Sequence, residues 1–134
     1  LKPGGRFVAE LGGKGNVAAI EAAVAVALEE IGEPAIPSPW YFPSVGEYAT
    51  VLERAGLAVS EATLFDRPTP LVGDDAPRQW IEMFGGHVKE RIPLAKREAF
   101  YARLTAELRP RFLRDGQWFA DYRRLRVRAF RRAM

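Results

Sequence analysis

The sequence predicts an α/β fold, and three observations carry the prediction. Short, nearly continuous apolar segments, the mark of covered strands, alternate with segments whose apolar residues recur every three or four positions. Gly-, Pro- and Asp-rich turn signals separate them. The resulting order is strand, helix, helix, strand, two helices, strand, with helices carrying the first crossover as parallel strands require.

The first strand is predicted over Arg6 to Leu11, after the Pro3-Gly4-Gly5 turn and before Gly12-Gly13-Lys14-Gly15. Its apolar run suits a strand covered on both faces. Asn16 then reads as a helix N-cap, because its side-chain oxygen can accept from the free amides of a first turn. Val17, Ile20, Val24, Leu28 and Ile31 form one stripe at helical period, ended by Gly32 and Pro34. Ser44 and Glu47 have capping-box spacing, which opens a second helix with Tyr48, Leu52 and Ala55 on its buried side and Gly56 as its stop. Leu57 to Phe65 is the second strand. Asp66 to Pro70 is a loop stiffened by Pro68 and Pro70.

Asp75 is placed to cap a short helix carrying Trp80, Ile81 and Phe84, closed by Gly85-Gly86. Pro93 opens a longer helix with Phe100, Leu104 and Leu108 on one face, and Pro110 ends it. Asp115-Gly116 is a turn dipeptide. Trp118 to Phe130 is the last strand, with Phe119, Leu125, Val127 and Ala129 on one face and Arg124, Arg126 and Arg128 on the other. A three-stranded sheet is small for this class, and the first strand reads as buried while one of its edges lacks a neighbour. The sequence therefore behaves like the end of a larger sheet.

Composition narrows the chemistry. Hydrophobic residues make up 48% of the 134 and charged residues 28%, the ordinary range of a globular chain. No apolar run approaches the ~20 residues that span a bilayer. The absence of cysteine excludes disulfides, thiol nucleophiles and thiolate metal sites. The single His87 excludes a site needing two imidazoles, and it reads as an exposed loop residue. The net charge of +3 is uneven: residues 86 to 134 carry 14 of the 20 basic and 5 of the 17 acidic groups. Because Arg103, Arg109, Arg111 and Arg114 are interleaved with leucines and aromatics, they read as solvated faces, with no recognised nucleic-acid motif among them.

Several segments together carry a family resemblance. They are Leu1-Lys2-Pro3-Gly4-Gly5-Arg6-Phe7-Val8, Glu10 through Asn16, Pro39-Trp40-Tyr41-Phe42-Pro43-Ser44, Leu64 through Leu71, Asp115-Gly116-Gln117-Trp118 and Asp121 through Arg126. They resemble the class I S-adenosylmethionine-dependent methyltransferases, in the trans-aconitate methyltransferase-like branch. The resemblance covers essentially the whole chain. It implies a Rossmann-like sheet in which residues 6 to 11 are strand five, residues 57 to 65 strand six, and residues 118 to 130 an antiparallel strand seven inserted between them. It also implies that residues 1–134 are one partial domain, the C-terminal half, without the glycine-rich loop and ribose-binding acid of the cofactor half. Gly12-Gly13-Lys14-Gly15 lacks the spacing and the Ser/Thr of a nucleotide loop and reads as a tight turn.

The expected activity is methyl transfer from S-adenosylmethionine to a small-molecule acceptor. The chain is expected to supply the acceptor-binding half, to be inactive alone, and not to hold the cofactor tightly. Such transfer needs alignment more than acid–base machinery, which fits a chain with one histidine and no evident dyad. The acceptor residues implied are Trp40, Tyr41 and Phe42 as pocket walls, Arg67 and Thr69 as a carboxylate grip, and Trp80 as a closure. Against these stand plainer readings: Trp40 and Phe42 cover the sheet, and Arg67 pairs with Asp66. Glu10, at the end of the first strand, either faces the cofactor side or pairs with Arg6. No metal, membrane or nucleic-acid partner is expected, and a cytoplasmic location is. The alternative to an enzyme is a dimerising module, in which the edge of strand 6–11 pairs with a second copy.

Overall fold

The computed structural model describes residues 1–133. In chain order the elements are β1 (Arg6–Gly12), α1 (Ala18–Glu30), α2 (Val45–Arg54), β2 (Leu57–Leu71), α3 (Ala76–Phe84), α4 (Gly86–Lys89), α5 (Arg97–Phe112), β3 (Leu113–Arg114) and β4 (Gln117–Arg131). A 3₁₀ turn, Leu94–Lys96, precedes α5. None of the helices is long and apolar enough to cross a membrane among the described residues.

The sheet order is β1-β4-β2, with β3 paired to β4. β1 and β4 run antiparallel in a register that sets Arg6 opposite Phe130, Val8 opposite Arg128 and Glu10 opposite Arg126. Along β2 and β4 the residue numbers also run in opposite directions. Ser60 Oγ donates to the Arg128 carbonyl at 3.1 Å, while Asp66 meets Arg123 at 3.2 Å. The last strand in sequence thus lies between two strands that run parallel to each other, the arrangement expected for strands five, seven and six.

The chain forms two compact units. The first holds Leu1–Asn16, Trp40–Arg67 and the chain from Tyr122 on. Its core is Leu125, Val127 and Ala129 of β4 and Leu52 of α2, with Phe7, Ala9 and Leu11 of β1 and Leu57, Val59, Ala62 and Leu64 of β2 packed around them. Burying a Val- or Leu-sized side chain contributes about 1.5–3 kcal/mol, so this cluster is the main stabilising term of the unit. α2 starts with the capping box expected: Glu47 N–H donates to Ser44 Oγ at 3.1 Å, and Ser44 N–H donates to Glu47 at 3.0 Å. Ala55 is exposed as the C-cap of α2 instead of completing its buried stripe.

The second unit holds Val17–Pro39 and Pro68–Asp121. Here α1 packs on α5, burying Ile20, Ala23, Ala27 and Leu28 against Phe100, Leu104 and Leu108. The alanines of α1 permit that close approach. Trp118 and Ala120 of β4 are buried, and Trp118 lies under the Arg109 guanidinium at 5.8 Å. The buried positions of β4 therefore change parity, from 118 and 120 to 125, 127 and 129, because different elements cover its two parts. Phe119, expected among the buried set, is only half-buried.

Other expectations are corrected. β1 is covered on one face only: Phe7, Ala9 and Leu11 point into the core while Arg6, Val8 and Glu10 point outward, with Val8 67% exposed. Asp66 to Pro70 is strand, not loop. β2 is an edge strand, and prolines spaced by two turn both missing donors to the same side, so its ladder to β4 can continue. α5 runs through Pro110 to Phe112. The proline forfeits one bond, to the Ala106 carbonyl, and Ala106 is solvent-exposed, so water can take the place of that donor. The Asp115-Gly116 turn forms as expected, with φ of 49° and 76°, the left-handed pair that a two-residue hairpin loop requires.

Candidate functional site

In the first unit the carboxyl end of β1 collects charge. The register places Glu10 directly opposite Arg126, and Arg124 follows two residues on along the same face. Glu10 Oε1 accepts from Arg126 Nη2 at 2.7 Å and from Nε at 3.2 Å. Its Oε2 accepts from Arg67 Nη1 at 3.1 Å and lies 3.6 Å from Arg124 Nε. The hydrogen bonds from Arg126 hold the Glu10 carboxyl below its ordinary range, helped by the charges of Arg67 and Arg124. The guanidinium of Arg126 also lies 5.1 Å from the Phe65 ring, and that of Arg67 5.9 Å from it. One carboxylate among three guanidiniums leaves a local excess of two positive charges.

Beside this cluster the Gly12–Asn16 turn is tied down by its own chain. Gly13 N–H donates to the Arg123 carbonyl at 2.9 Å, and Lys14 N–H to the Pro43 carbonyl at 2.9 Å. Arg123 Nη1 donates to the Lys14 carbonyl at 3.3 Å, and its Nε meets Asp66 at 3.2 Å. Asn16 is buried, and its Oδ1 accepts from the Arg123 N–H at 2.6 Å. It is therefore a clasp on β4 and not the N-cap of α1. Val17 occupies that cap position with a left-handed φ of 49°.

The glycines of this turn make room for neighbouring side chains. A Cβ on Gly12 would come within 2.7 Å of the Phe42 ring and 2.8 Å of Asn16 Nδ2. One on Gly13 would strike Leu64 and press on Leu125 at 3.1 Å. The space a ligand would need against these two glycines is filled by Phe42 and Leu64. The turn therefore does not fit S-adenosylmethionine.

The sequence-predicted residues divide between the units. Trp40, Tyr41, Phe42 and Arg67 belong to the first. Trp40 and Phe42 stack with ring centroids 5.8 Å apart, and Tyr41 between them is 60% exposed. Arg67 pairs with Glu10, whereas Asp66 pairs with Arg123, so the suggested Asp66–Arg67 and Glu10–Arg6 pairs give way to longer-range ones. Thr69 and Trp80 belong to the second unit. Thr69 is half-buried on β2, and Trp80 is buried with its ring 5.4 Å from that of Phe84. His87, expected in an exposed loop, is half-buried in α4. An open groove of about 390 Å³ in the second unit, between α3 and α5, is lined by Arg78, Tyr101 and Arg109 among others and includes none of the predicted residues. No group of three or more potential metal ligands occurs among the described residues.

Arg124 and Arg126, expected as part of a charged strand face, join Glu10 in this cluster. The alternation of Arg124, Arg126 and Arg128 announced a charged strand face. Nothing local announced that Glu10 sits opposite Arg126.

No protein-family model matches the chain. Nearly the whole chain is similar to half of a methyltransferase. That relative is an uncharacterized methyltransferase of Schizosaccharomyces pombe, 37% identical over 134 residues, a stretch covering 94% of this chain and 49% of the yeast protein. The chain thus spans about half the length of the curated relative it matches. Among solved structures it is similar to a Bacillus halodurans C-125 protein provisionally described as a methyltransferase. That match has a TM-score of 0.48 and 14% identity, covering 99% of this chain and 58% of the other. The structural likeness is too distant to argue from, and the weight rests on the yeast sequence.

Proposed function

We propose that this chain is the acceptor-binding part of an S-adenosylmethionine-dependent methyltransferase in the trans-aconitate methyltransferase-like branch, acting in the cytoplasm on a small molecule. The observation that carries the reading is the 37% identity to a methyltransferase along nearly the entire chain. The methyl donor, when bound, supplies an electrophilic methyl group on a sulfonium. The task left to this chain is to orient the acceptor.

Arg67, Arg124 and Arg126 suit a carboxylate-bearing acceptor, since a planar guanidinium fork matches a carboxylate in a bidentate way. Glu10 neutralises one of the three, so an incoming acid meets net positive charge without displacing it. Tyr41, the exposed aromatic of the Trp40–Phe42 stretch, offers an apolar wall. The filled turn at Gly12 and Gly13 supports the further proposal that the chain alone is inactive and leaves the donor to residues outside it.

Amide NMR titration of the chain tests both proposals at once. With trans-aconitate, shifts are expected at Arg67, Arg124 and Arg126, lost in the R67A/R126A variant. With S-adenosylmethionine, none is expected at micromolar concentrations. Tight donor binding, or methyl transfer by the chain alone, overturns the assignment of the donor site. Carboxylate binding that survives R67A/R126A overturns the acceptor grip.

A further inference from the structure

We infer that the groove between α3 and α5 binds a small zwitterion of the amino-acid kind, its carboxylate on Arg109 and its ammonium group on Asp75. The groove has a volume of about 390 Å³, within the range of small-molecule sites. Its charges divide into a satisfied pair and an unsatisfied one. Arg78 Nη1 donates to the two carboxylate oxygens of Glu98 at 2.9 and 3.1 Å, so these side chains neutralise each other. Arg109 and Asp75 do not meet. Among the described residues neither side chain forms an ion pair or a hydrogen bond, although both line the same groove. Asp75 stands at the N-cap of α3 without accepting from its own helix. The Arg109 guanidinium lies over the Trp118 ring, 5.8 Å from its centre, which holds the group without supplying an acceptor. A cation and an anion that face one space without pairing leave a gap that a ligand of both charges bridges.

A third group points to a polar ligand. Tyr101, which also lines the groove, is 5% exposed, and its hydroxyl has no hydrogen-bond partner among the described residues. Burial pushes the ionisation of that hydroxyl up, so it stays a neutral donor and acceptor. A buried polar group left unmet costs about 1–3 kcal/mol, and a ligand that bonds to it removes the cost. Tyr101, Thr105 and Arg109 follow at intervals of four along α5, so they share one face over about 12 Å. That span suits a zwitterion whose side chain ends in a polar group, such as the amide of glutamine, directed toward the two hydroxyls. All of these residues lie in one compact unit, so building the site takes no segment from outside the chain. The inference does not depend on the methyl-transfer reading.

Amide NMR titration of the chain with L-glutamine tests it, with acetate and methylammonium as probes that carry one charge each. The expected result is saturable shifts at Asp75, Thr105 and Arg109, with a dissociation constant of about 1 mM or below. Either single-charge probe is expected to bind at least about tenfold more weakly. R109A and D75N are each expected to weaken glutamine binding about tenfold, the loss of one charge-assisted contact. Both side chains are exposed, so the fold survives either change. Y101F is expected to weaken binding several-fold yet to raise the urea midpoint of the ligand-free chain, because it deletes a buried hydroxyl that has no partner. Absence of saturable shifts overturns the inference, as does binding indifferent to R109A and D75N. Acetate or methylammonium binding as tightly as glutamine makes the groove a site for one charge only, and overturns it equally.

Discussion

Asp121 Oδ2 accepts a hydrogen bond from the Ala19 backbone N–H at 2.7 Å, so a residue of the last strand caps the first turn of a helix by bonding a residue 102 positions earlier. Val17, at the N-cap of α1, has no side-chain oxygen to offer, and the free amides of the first turn are met from β4 instead. Burial nevertheless holds the Asp121 carboxyl above its ordinary value near 3.8, against the opposing pull of the Ala19 N–H.

Two consequences of that cap are measurable. D121A leaves the first turn of α1 uncapped and should cost about 1 kcal/mol in urea unfolding, within the 0.5–2 kcal/mol range of cap deletions. D121N keeps an acceptor and should cost less. Because the folded state holds the proton to higher pH than the unfolded one, the stability from the protonated acid is present below pH 3.8 and declines as pH rises through the raised value. The stability difference between wild type and D121N should shift in that window in favour of the variant. A difference flat with pH refutes the assignment.

N16A should destabilise by about 1 kcal/mol, the loss of the part-buried hydrogen bond by which Asn16 satisfies the Arg123 N–H at 2.6 Å. N16D, which keeps the acceptor, should recover part of the loss. The Arg123 amide should exchange faster in N16A than in wild type, and equal exchange rates would remove Asn16 as the clasp.

G13A forces a Cβ against Leu64 and Leu125 and should cost about 1–3 kcal/mol by overpacking. G12A meets the Phe42 ring instead, so pairing it with F42L should restore some stability. If G13A unfolds at the same urea concentration as wild type, the turn holds open space after all, and the case against a ligand there falls.

Glu10 has the opposite acid dependence from Asp121. The hydrogen bonds from Arg126, with Arg67 and Arg124, hold its carboxyl below its ordinary value near 4.5. Its contribution is therefore present above that value and lost as pH falls through the depressed one. E10Q removes this acid-side loss, so the gap between wild type and variant should close in acid. It also leaves three guanidiniums without their anion, so E10Q should bind a dicarboxylate such as succinate more tightly than wild type. Unchanged succinate shifts by NMR would separate the cluster from anion binding.

Local chemistry made much of this fold legible. The capping box of Ser44 and Glu47, the Asp115-Gly116 hairpin turn and the stripe of Phe100, Leu104 and Leu108 each involve residues within one or a few turns of each other, so spacing alone specifies them. Pro68 and Pro70, expected to stiffen a loop, and Pro110, expected to end a helix, lie inside β2 and α5, because a proline's cost depends on whether its missing donor would have had a partner, and only sheet order and solvent exposure decide that. Within the candidate site the aromatic and arginine types could be named from sequence, but their partners could not.

By itself the sequence determined the α/β class, the order of the elements, the helix faces and the likeness to half of a methyltransferase, all properties of residue type and short-range period. The tertiary structure alone decided that Glu10 meets Arg67 and Arg126, that Asp121 caps α1, that Asn16 clasps β4 and that Phe42 fills the glycine turn. The first three contacts join residues 57 to 116 positions apart in the chain. Insertion of the last strand between the first two brings them within hydrogen-bond reach, and no local periodicity encodes which side chains a strand will find beside it.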